Sequence, residues 1–234
     1  MKIIITEKQL RMIVESEKED NLMDLTDAYE GGLSPNKWDS YFLFMKNKKK
    51  TDYAGYYIDG EVDLSKSDIT EFKYLVKVGG NLDLRKTPIK SLPMLSEVGG
   101  DLYNTPIKSL PMLSTVGISL YLYNTPIKSL PMLSYVGGVL DLRKTPITKL
   151  PMLSEVGGVL DLYNTPITEL PMLSYVGGYL DLGNTPITEL PLLTTVGGNL
   201  NLNDTLLGKE LNKTMSKEEI KNKFGVKFNL SIWN

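Results

Sequence analysis

The sequence predicts an α/β repeat solenoid with a parallel β-sheet on one face, and three observations lead to this prediction. A segment of about 20 residues recurs along most of the chain, with copies beginning at Val78, Val98, Val116, Val136, Val156, Val176 and Val196. Apolar and polar residues alternate early in each copy, as they do in a strand with one buried face. Pro and Gly recur at fixed places, where they mark turns. Near-identical units that each hold one strand are expected to stack coil upon coil.

One coil, residues 156–175, shows how each position is used. The Asn-Thr-Pro turn ends the strand because Pro166 has no N–H to donate to a ladder. Pro171 disfavours a helix in the return path, so an extended or polyproline-like back segment is expected. The pair Gly157-Gly158 forms the corner to the next strand, where we expect a positive φ. The predicted core positions are Leu160, Leu162, Ile167, Leu170 and Leu173.

A weaker copy begins at Ile58, which gives seven coils and a final partial one. Three regions follow from this count: an N-terminal capping region at 1–57 with one or two helices, a solenoid at 58–208, and a C-terminal cap at 209–234. The ends of a stack expose apolar edges, so both ends need covers.

Capping signals place helices in the N-terminal region. Lys2 to Ile5 is predicted as a short strand, and Thr6 to Gln9 forms a capping box that opens a helix. Ser34-Pro35 begins another helix. The lysine run from Lys46 to Lys50 is predicted as a solvated hinge, with a patch for nucleic acid or an acidic partner as the alternative.

The C-terminal cap has its own signals. Ser216 to Glu219 forms a capping box for a helix that runs through Lys223, and Gly225 ends that helix. Trp233 is expected to pack on the last coil. A closing strand is predicted from the alternating residues Val226, Phe228, Leu230 and Ile232.

The pattern Leu-x-Leu-x-x-Thr-x-Ile-x-x-Leu-Pro-x-Leu, read from Leu160 to Leu173, resembles the leucine-rich repeat. It is most similar to the short version, of roughly 20 residues, of bacterial and bacteriophage proteins. The Val-Gly-Gly corner departs from that family and resembles the coils of receptor L domains. The resemblance covers residues 58 to about 205 and specifies a fold more strongly than a function, because this fold hosts many partners.

The resemblance also implies roles for particular residues. Threonines stand where the family usually has Asn, and there they would hydrogen-bond neighbouring coils: Thr87, Thr105, Thr125, Thr145, Thr165 and Thr185. Some bacterial members carry a cysteine-dependent ligase domain, which a chain without Cys cannot contain. The opening segment Met1 to Leu10 is similar to the start of many tailed-bacteriophage proteins.

The coil from Val98 to Thr115 is two residues shorter than its neighbours. Aligning Asp101-Leu102-Tyr103 with Asp83-Leu84-Arg85 leaves no counterpart for the core residue Leu82. We interpret the shortening as a tolerated deletion, with a local kink used by a partner as the alternative.

Composition removes whole classes of chemistry. The chain has neither Cys nor His, so it contains no Ser-His-Asp triad, Cys-His dyad, thiolate site or imidazole metal site. The paired glycines recur in nearly every coil and are not a phosphate cradle. We therefore predict no catalytic residues, no metal, no cofactor and no enzymatic activity. A net charge of −2 predicts neither nucleic acid nor membrane as a partner.

The chain begins with only three consecutive isoleucines before a polar run, so a signal peptide is not predicted. The protein is expected in the cytoplasm of a bacterium or host, or in a virion.

The outward strand positions form three predicted columns. The central one contains Asp63, Asp83, Asp101, Tyr121, Asp141, Asp161, Asp181 and Asn201. Beside it lie Ser65, Arg85, Tyr103, Tyr123, Arg143, Tyr163, Gly183 and Asn203, followed by Lys66, Lys86, Asn104, Asn124, Lys144, Asn164, Asn184 and Asp204. Stacked aspartates repel one another, and the neighbouring arginines and lysines are expected to offset that repulsion.

Three interpretations of this strand face stay open: a merely solvated sheet, a protein-binding surface, and a glycan- or cation-binding carboxylate site. We predict a protein–protein interaction or assembly module whose partner is another protein of unspecified identity. The predicted partner-binding residues are Tyr103, Tyr121, Tyr123, Tyr163, Arg85, Arg143, Asp141 and Asp161. The alternative is a phage-particle component or spacer that interacts through its N-terminal region.

The back face carries a gradient of charge, with Lys90, Lys108, Lys128 and Lys149 in earlier coils and Glu169 and Glu189 in later ones. Such a gradient can orient self-assembly, although exposed charges usually serve solubility.

Overall fold

The computed structural model describes residues 21–49, 53–103, 107–227 and 229–231. They form a parallel β-solenoid of about seven turns, as the sequence predicts. The strands in chain order are β1 (Leu22–Asp24), β2 (Gly55–Ile58), β3 (Val62–Asp63), β4 (Leu75–Val78), β5 (Leu82–Asp83), β6 (Glu97–Val98), β7 (Leu102–Tyr103), β8 (Thr115–Val116), β9 (Leu120–Tyr121), β10 (Tyr135–Val136), β11 (Leu140–Asp141), β12 (Glu155–Val156), β13 (Leu160–Asp161), β14 (Tyr175–Val176), β15 (Leu180–Asp181), β16 (Thr195–Val196), β17 (Leu200–Asn201) and β18 (Leu230–Ser231).

Every coil contributes one short strand to each of two nine-stranded parallel sheets. Sheet A contains β1, β2 and the even-numbered strands from β4 to β16, and sheet B contains the odd-numbered strands from β3 to β17 together with β18. The sequence predicts only sheet B, because each of its strands in the regular coils is followed by a further alternating leucine, as in Leu160 and Leu162, whereas a sheet A strand within the repeats is followed at once by the glycine corner. On the third side, isolated parallel bridges such as Glu169 to Glu189 join successive coils without a helix.

The core is a stack of identical layers. In residues 156–175 the six inward side chains are fully buried, and the same positions are buried in the neighbouring regular coils: Val156, Leu160, Leu162, Ile167, Leu170 and Leu173. Full burial of one such side chain stabilises a fold by roughly 1.5–3 kcal/mol. The predicted core of the repeat is therefore confirmed.

The glycine corner is required for close packing, and the expectation of a positive φ there is wrong. Among the described glycines, only Gly32 and Gly225 have a positive φ. A Cβ atom on Gly157 would instead overlap the carbonyl oxygen of Gly137 in the coil below, and the same overlap recurs along the stack. The coils approach one another at this corner more closely than any side chain allows.

Left-handed backbone is found at the opposite end of sheet B, directly after the strand face. Seven non-glycine residues there have φ between 55° and 64°: Lys66, Lys86, Asn124, Lys144, Asn164, Asn184 and Asp204. Asn and Asp tolerate this conformation better than other side chains. The recurrent Asn before Thr-Pro therefore has a backbone cause.

Four of the six predicted threonines bond within their own coil, so the bonding to neighbouring coils implied by the resemblance is wrong for them. Thr125 Oγ1 is buried without a hydrogen-bond partner among the described residues, and Thr105 lies outside those residues. The Thr165 hydroxyl donates to the Leu162 carbonyl oxygen at 2.8 Å, and Thr87, Thr145, Thr185 and Thr205 make the same bond three residues back. Serines bond between coils in addition to the backbone, as where Ser154 Oγ donates to the Ser134 carbonyl oxygen at 3.0 Å.

The short coil is aligned differently from our prediction. Leu102 pairs with Leu82 on one side and Leu120 on the other, and Tyr103 pairs with Asp83 and Tyr121. The two missing residues therefore follow Tyr103, and the core position without a counterpart is that of Leu84, not Leu82. Both alignments bury Leu102, which is why the hydrophobic pattern alone does not distinguish them.

The N-terminal cap covers the stack with aromatic side chains. Helix α1 spans Thr26–Glu30, a single 3₁₀ turn spans Pro35–Lys37, and helix α2 spans Trp38–Lys49. Trp38 is fully buried and stacks on Phe72 with ring centroids 5.1 Å apart. Strand β1 extends sheet A with residues from outside the repeat.

The predicted lysine hinge is wrong where the structure describes it. Lys46, Lys48 and Lys49 occupy the last turn of α2, where positive charge favours a helix C-terminus. The Lys46 ammonium group donates to the Tyr53 carbonyl oxygen at 2.6 Å. Lys50 and the predicted N-terminal strand and capping box, at residues 2–9, lie outside the described residues.

At the other end, helix α3 (Leu206–Thr214) and helix α4 (Lys217–Lys223) cover the last coil. Helix α4 has the predicted capping box, and Gly225 has a φ of 56° just beyond the helix. Helix α3 was not predicted; Thr205 caps it by accepting from the Gly208 N–H at 2.8 Å. Strand β18 is part of the predicted closing strand, whereas Ile232 and Trp233 lie outside the described residues.

No helix among the described residues is long and apolar enough to cross a membrane.

Candidate functional site

The candidate site is the outer face of sheet B, built from its central column. Most members of this column are Asp because the side chain closes a turn at the end of the strand. Asp83, Asp161 and Asp181 each accept a hydrogen bond from the backbone N–H two residues later, at 2.8 to 3.1 Å. Asn201 makes the same bond. The recurrent aspartate is therefore explained by local structure.

The structure corrects one member of the predicted central column. Tyr103 lies in line with Asp83 and Tyr121, and Asp101 lies one position earlier on the face. The described central column is Asp63, Asp83, Tyr103, Tyr121, Asp141, Asp161, Asp181 and Asn201. Two adjacent coils thus replace the turn-forming aspartate with tyrosine.

These two tyrosines stack on each other. Their ring centroids are 5.2 Å apart and the planes differ by 2°. The Tyr103 hydroxyl donates to Asp101 Oδ2 at 2.7 Å, which fixes the ring against the sheet. Such parallel rings on adjacent strands pack face to face, and the strands hold this stack in place.

One arginine lies over Tyr103, and a second lies over Tyr123, the neighbour of Tyr121 on the same face. The Arg85 guanidinium carbon is 5.1 Å from the centroid of the Tyr103 ring, and that of Arg143 is 5.2 Å from the Tyr123 ring. At these distances the cation is attracted to the ring face. The short coil has no residue in line with Arg85. The Arg85 side chain therefore lies over part of the Tyr103 ring.

Both arginines are held by aspartates of the central column. Arg143 Nε lies 2.9 Å from Asp141 Oδ1, and its Nη2 lies 2.6 Å from Asp141 Oδ2. A third contact joins Arg143 Nε to Asp161 Oδ2 at 3.1 Å. Arg85 forms the matching pair with Asp83, and this hydrogen bond lowers the pKa of the Asp83 carboxyl. The aspartates therefore neutralise and orient the arginines.

We define the aromatic strip as Arg85, Tyr103, Tyr121, Tyr123 and Arg143. Five of the eight predicted partner-binding residues thus lie together. A sixth, Asp141, holds Arg143 in place through two hydrogen bonds. Asp161 contacts Arg143 at the border of the strip. Tyr163 is 41% exposed and makes no ring contact with another described residue.

The sequence reasoning missed a polar cluster in the later coils. The Tyr179 hydroxyl donates to Asp181 Oδ2 at 2.8 Å, and Asn201 Nδ2 donates to Asp181 Oδ1 at 2.8 Å. Tyr179 replaces the Val of preceding coils, and that change was the available signal.

On this face, Asp161 has the carboxyl group whose pKa lies furthest from its ordinary value. Burial raises its pKa to about 6; the backbone N–H of Tyr163 opposes this effect, while the nearby charge of Asp181 adds to it. A carboxyl group in such surroundings can hold a proton near neutral pH. Among the described residues, no three acidic side chains converge as a metal site would require.

No protein-family model, curated protein or solved structure matches the chain. The resemblance to the leucine-rich repeat therefore stays a prediction from the sequence.

Proposed function

We propose that the chain is a non-enzymatic protein-binding module and that its partner docks on the aromatic strip. One observation carries this proposal: the parallel, half-buried Tyr103 and Tyr121 rings and the exposed Tyr123 lie together with two arginines, at the place where the repeat is broken. Tyrosine and arginine are the residue types enriched where binding energy concentrates. The regular coils present mostly turn-forming aspartates at the same positions.

The strip is already ordered before any partner arrives. Because Asp83 and Asp141 fix the arginines, a partner would not have to immobilise these long side chains itself. The arginine charges are also paired, so the partner need not supply carboxylates. A protein segment that lays apolar or aromatic side chains across the rings and hydrogen-bonds the Tyr121 and Tyr123 hydroxyls fits this chemistry.

The proposal is tested with Tyr121→Ala/Tyr123→Ala in a quantitative affinity capture from the cells in which the chain is made. Truncated anchors of this kind typically weaken binding by roughly 2 kcal/mol or more, so we expect the captured partner to be lost. The fold should persist because both rings lie outside the core. Circular dichroism and the melting temperature check this.

The matched control is Tyr135→Ala/Tyr175→Ala. These tyrosines lie on sheet A and are 38% and 40% exposed, close to the 44% of Tyr123. We expect this control to keep the partner. Capture that survives the loss of Tyr121 and Tyr123 would overturn the proposal. If it then disappears on removal of residues 1–20, the solenoid is a spacer for the N-terminal segment.

A further inference from the structure

A second surface runs along the corner between the back of the solenoid and sheet A. At this corner each coil places a proline followed by an apolar side chain, and no described residue covers the row. We define the methionine ridge as Met94, Met112, Met132, Met152, Met172 and Leu192. Met112, Met132, Met172 and Leu192 are 40% to 47% exposed. Six coils about 4.8 Å apart make the ridge roughly 24 Å long.

The back face beside the ridge has opposite charge at its two ends. Lys90, Lys108 and Lys128 stack at equivalent positions in successive coils, and all are exposed. Glu169 and Glu189 are directly paired in adjacent coils farther along. Like charges at this spacing repel each other. None of these five side chains makes an ion pair with another described residue, so each end of the face has uncompensated charge.

We propose that this ridge and its charged flank bind a second copy of the same chain in an antiparallel two-fold dimer. A two-fold axis perpendicular to the solenoid brings the lysine end of each copy to the glutamate end of the other. A two-fold axis along the solenoid would instead place lysines against lysines. Two-fold dimers are the commonest closed assemblies, and their surface must be self-complementary, as this one is.

Centring the axis between Met132 and Met152 aligns all six coils. Met112 then faces Met172 of the partner subunit. Lys90 and Lys108 face Glu189 and Glu169 of the partner subunit. Met is flexible enough to pack against a copy of itself without a preformed pocket. Near the axis Lys128 comes opposite Lys149 of the partner subunit, which weakens the middle of the contact.

The size of this surface predicts a weak, salt-sensitive dimer. A ridge and flank about 24 Å long and roughly 20 Å wide would bury on the order of 500 Å² per copy, below the ~800 Å² of a standard interface. Sheet B stays uncovered in this arrangement, so the dimer would carry two aromatic strips. The dimer does not depend on the proposed binding function of the aromatic strip.

Sedimentation velocity of the full chain tests the proposal. At about 50 mM salt and about 200 µM chain, we expect a species close to twice the 26.2 kDa of one chain, and less of it at about 500 mM salt. A wild-type chain that stays monomeric would overturn the proposal, as would growth into species larger than a dimer, since an open assembly does not arise from a two-fold contact.

Charge reversal identifies the surface. We expect the basic-end variant Lys90→Glu/Lys108→Glu/Lys128→Glu and the acidic-end variant Glu169→Lys/Glu189→Lys each to weaken dimerisation at least tenfold. An equimolar mixture of the two should restore a dimer, because five of the six pairs across the interface then join a lysine to a glutamate and only Lys149 of the basic-end variant still faces a lysine. The control Lys209→Glu/Lys213→Glu/Lys227→Glu changes net charge equally to the basic-end variant but lies in the C-terminal cap, and it should dimerise like wild type. A mixture that stays monomeric would contradict the antiparallel arrangement.

Two single changes on the surface complete the test. Met132→Lys adds positive charge near Lys128 and Lys149 at the axis and should abolish the dimer without changing the melting temperature, since the side chain is exposed. Lys149→Ser introduces the residue of the equivalent positions in earlier coils and should strengthen the dimer, because it removes the repulsion between Lys128 and Lys149, which occurs twice across the two-fold axis. An unchanged dimer in the first variant would show that the ridge is not the interface.

Discussion

The glycine corner and the outer face of sheet B belong to the same repeat, but the corner tolerates little change and the face tolerates several residue types. At the corner, Gly137, Gly157 and Gly177 stack so closely that any Cβ would overlap a carbonyl oxygen of the coil below. On the face, the position of Asp161 is held by Asp, Tyr or Asn in other coils, because its side chain lies on the outer side of sheet B and not in the core. Uniform positions are therefore those at which backbones touch, and variable positions are free to acquire a function. The changes on sheet B concentrate next to the short coil.

The largest expected effect is at the corner. Gly157→Ala should destabilise the fold by about 3 kcal/mol or more, because two coils would have to separate to accommodate the methyl group. Urea unfolding followed by circular dichroism measures the change. Gly60→Ala is the control, since no atom lies within 4 Å of a Cβ at that residue in the first coil. Equal stability of the two variants would mean that close packing does not explain why glycine recurs at the glycine corner.

A smaller effect is expected at Asp161, and it depends on pH. Since burial raises the pKa of this carboxyl to about 6, the folded state binds its proton more tightly than the unfolded state does. Its contribution to stability is therefore complete below about pH 4 and is lost as the pH rises through about 6. Asp161→Asn mimics the neutral form, and Asn201 shows that Asn fits this column. We expect it to stabilise the fold by about 1 kcal/mol at pH 7.5 and by nothing at pH 3.5.

Urea unfolding of wild type and variant at these two pH values checks this prediction. The comparison isolates Asp161 because every other carboxyl group is the same in both chains. A gain in stability of the same size at both pH values would assign the effect to something other than the raised pKa.

The smallest effect concerns the left-handed turn after sheet B. Lys144 has a φ of 56°, as Asn164 and Asn184 do at equivalent positions. Lys144→Asn should stabilise the fold by about 0.5–1 kcal/mol, because Asn tolerates this backbone better. The reverse change, Asn164→Lys, should destabilise it by a similar amount in the same urea titration. Opposite signs are required; two losses would indicate that side-chain contacts outweigh the backbone.

The features that could be predicted from the sequence are those set by local rules. The period, the buried positions such as Leu160 and Ile167, and the capping box at Ser216 follow from local rules, and they are confirmed. Sheet A was missed because the strand Glu155–Val156 is followed at once by Gly157, whereas the alternation in sheet B continues beyond the strand to Leu162. Helix α3 was missed because its start at Thr205 lies inside the last copy of the repeat.

The candidate site was predicted only in part, for a reason that lies in the short coil. Two alignments of Leu102 bury it equally well, and only pairing between coils shows that Tyr103 lies beside Tyr121. The stacking of these rings, and the placing of Arg85 over one of them, depend on that pairing. Side-chain contacts between coils are therefore the part that sequence patterns do not contain.

The central claim is that the fold depends on the positions that repeat, whereas binding depends on those that differ. The variant Tyr121→Asp/Tyr123→Arg tests it directly, because it gives this coil the Leu-Asp-Leu-Arg sequence found at residues 82–85 and 140–143. We predict a melting temperature equal to or above that of wild type, together with loss of the partner in affinity capture. Partner binding at wild-type strength by this more regular chain would contradict the account.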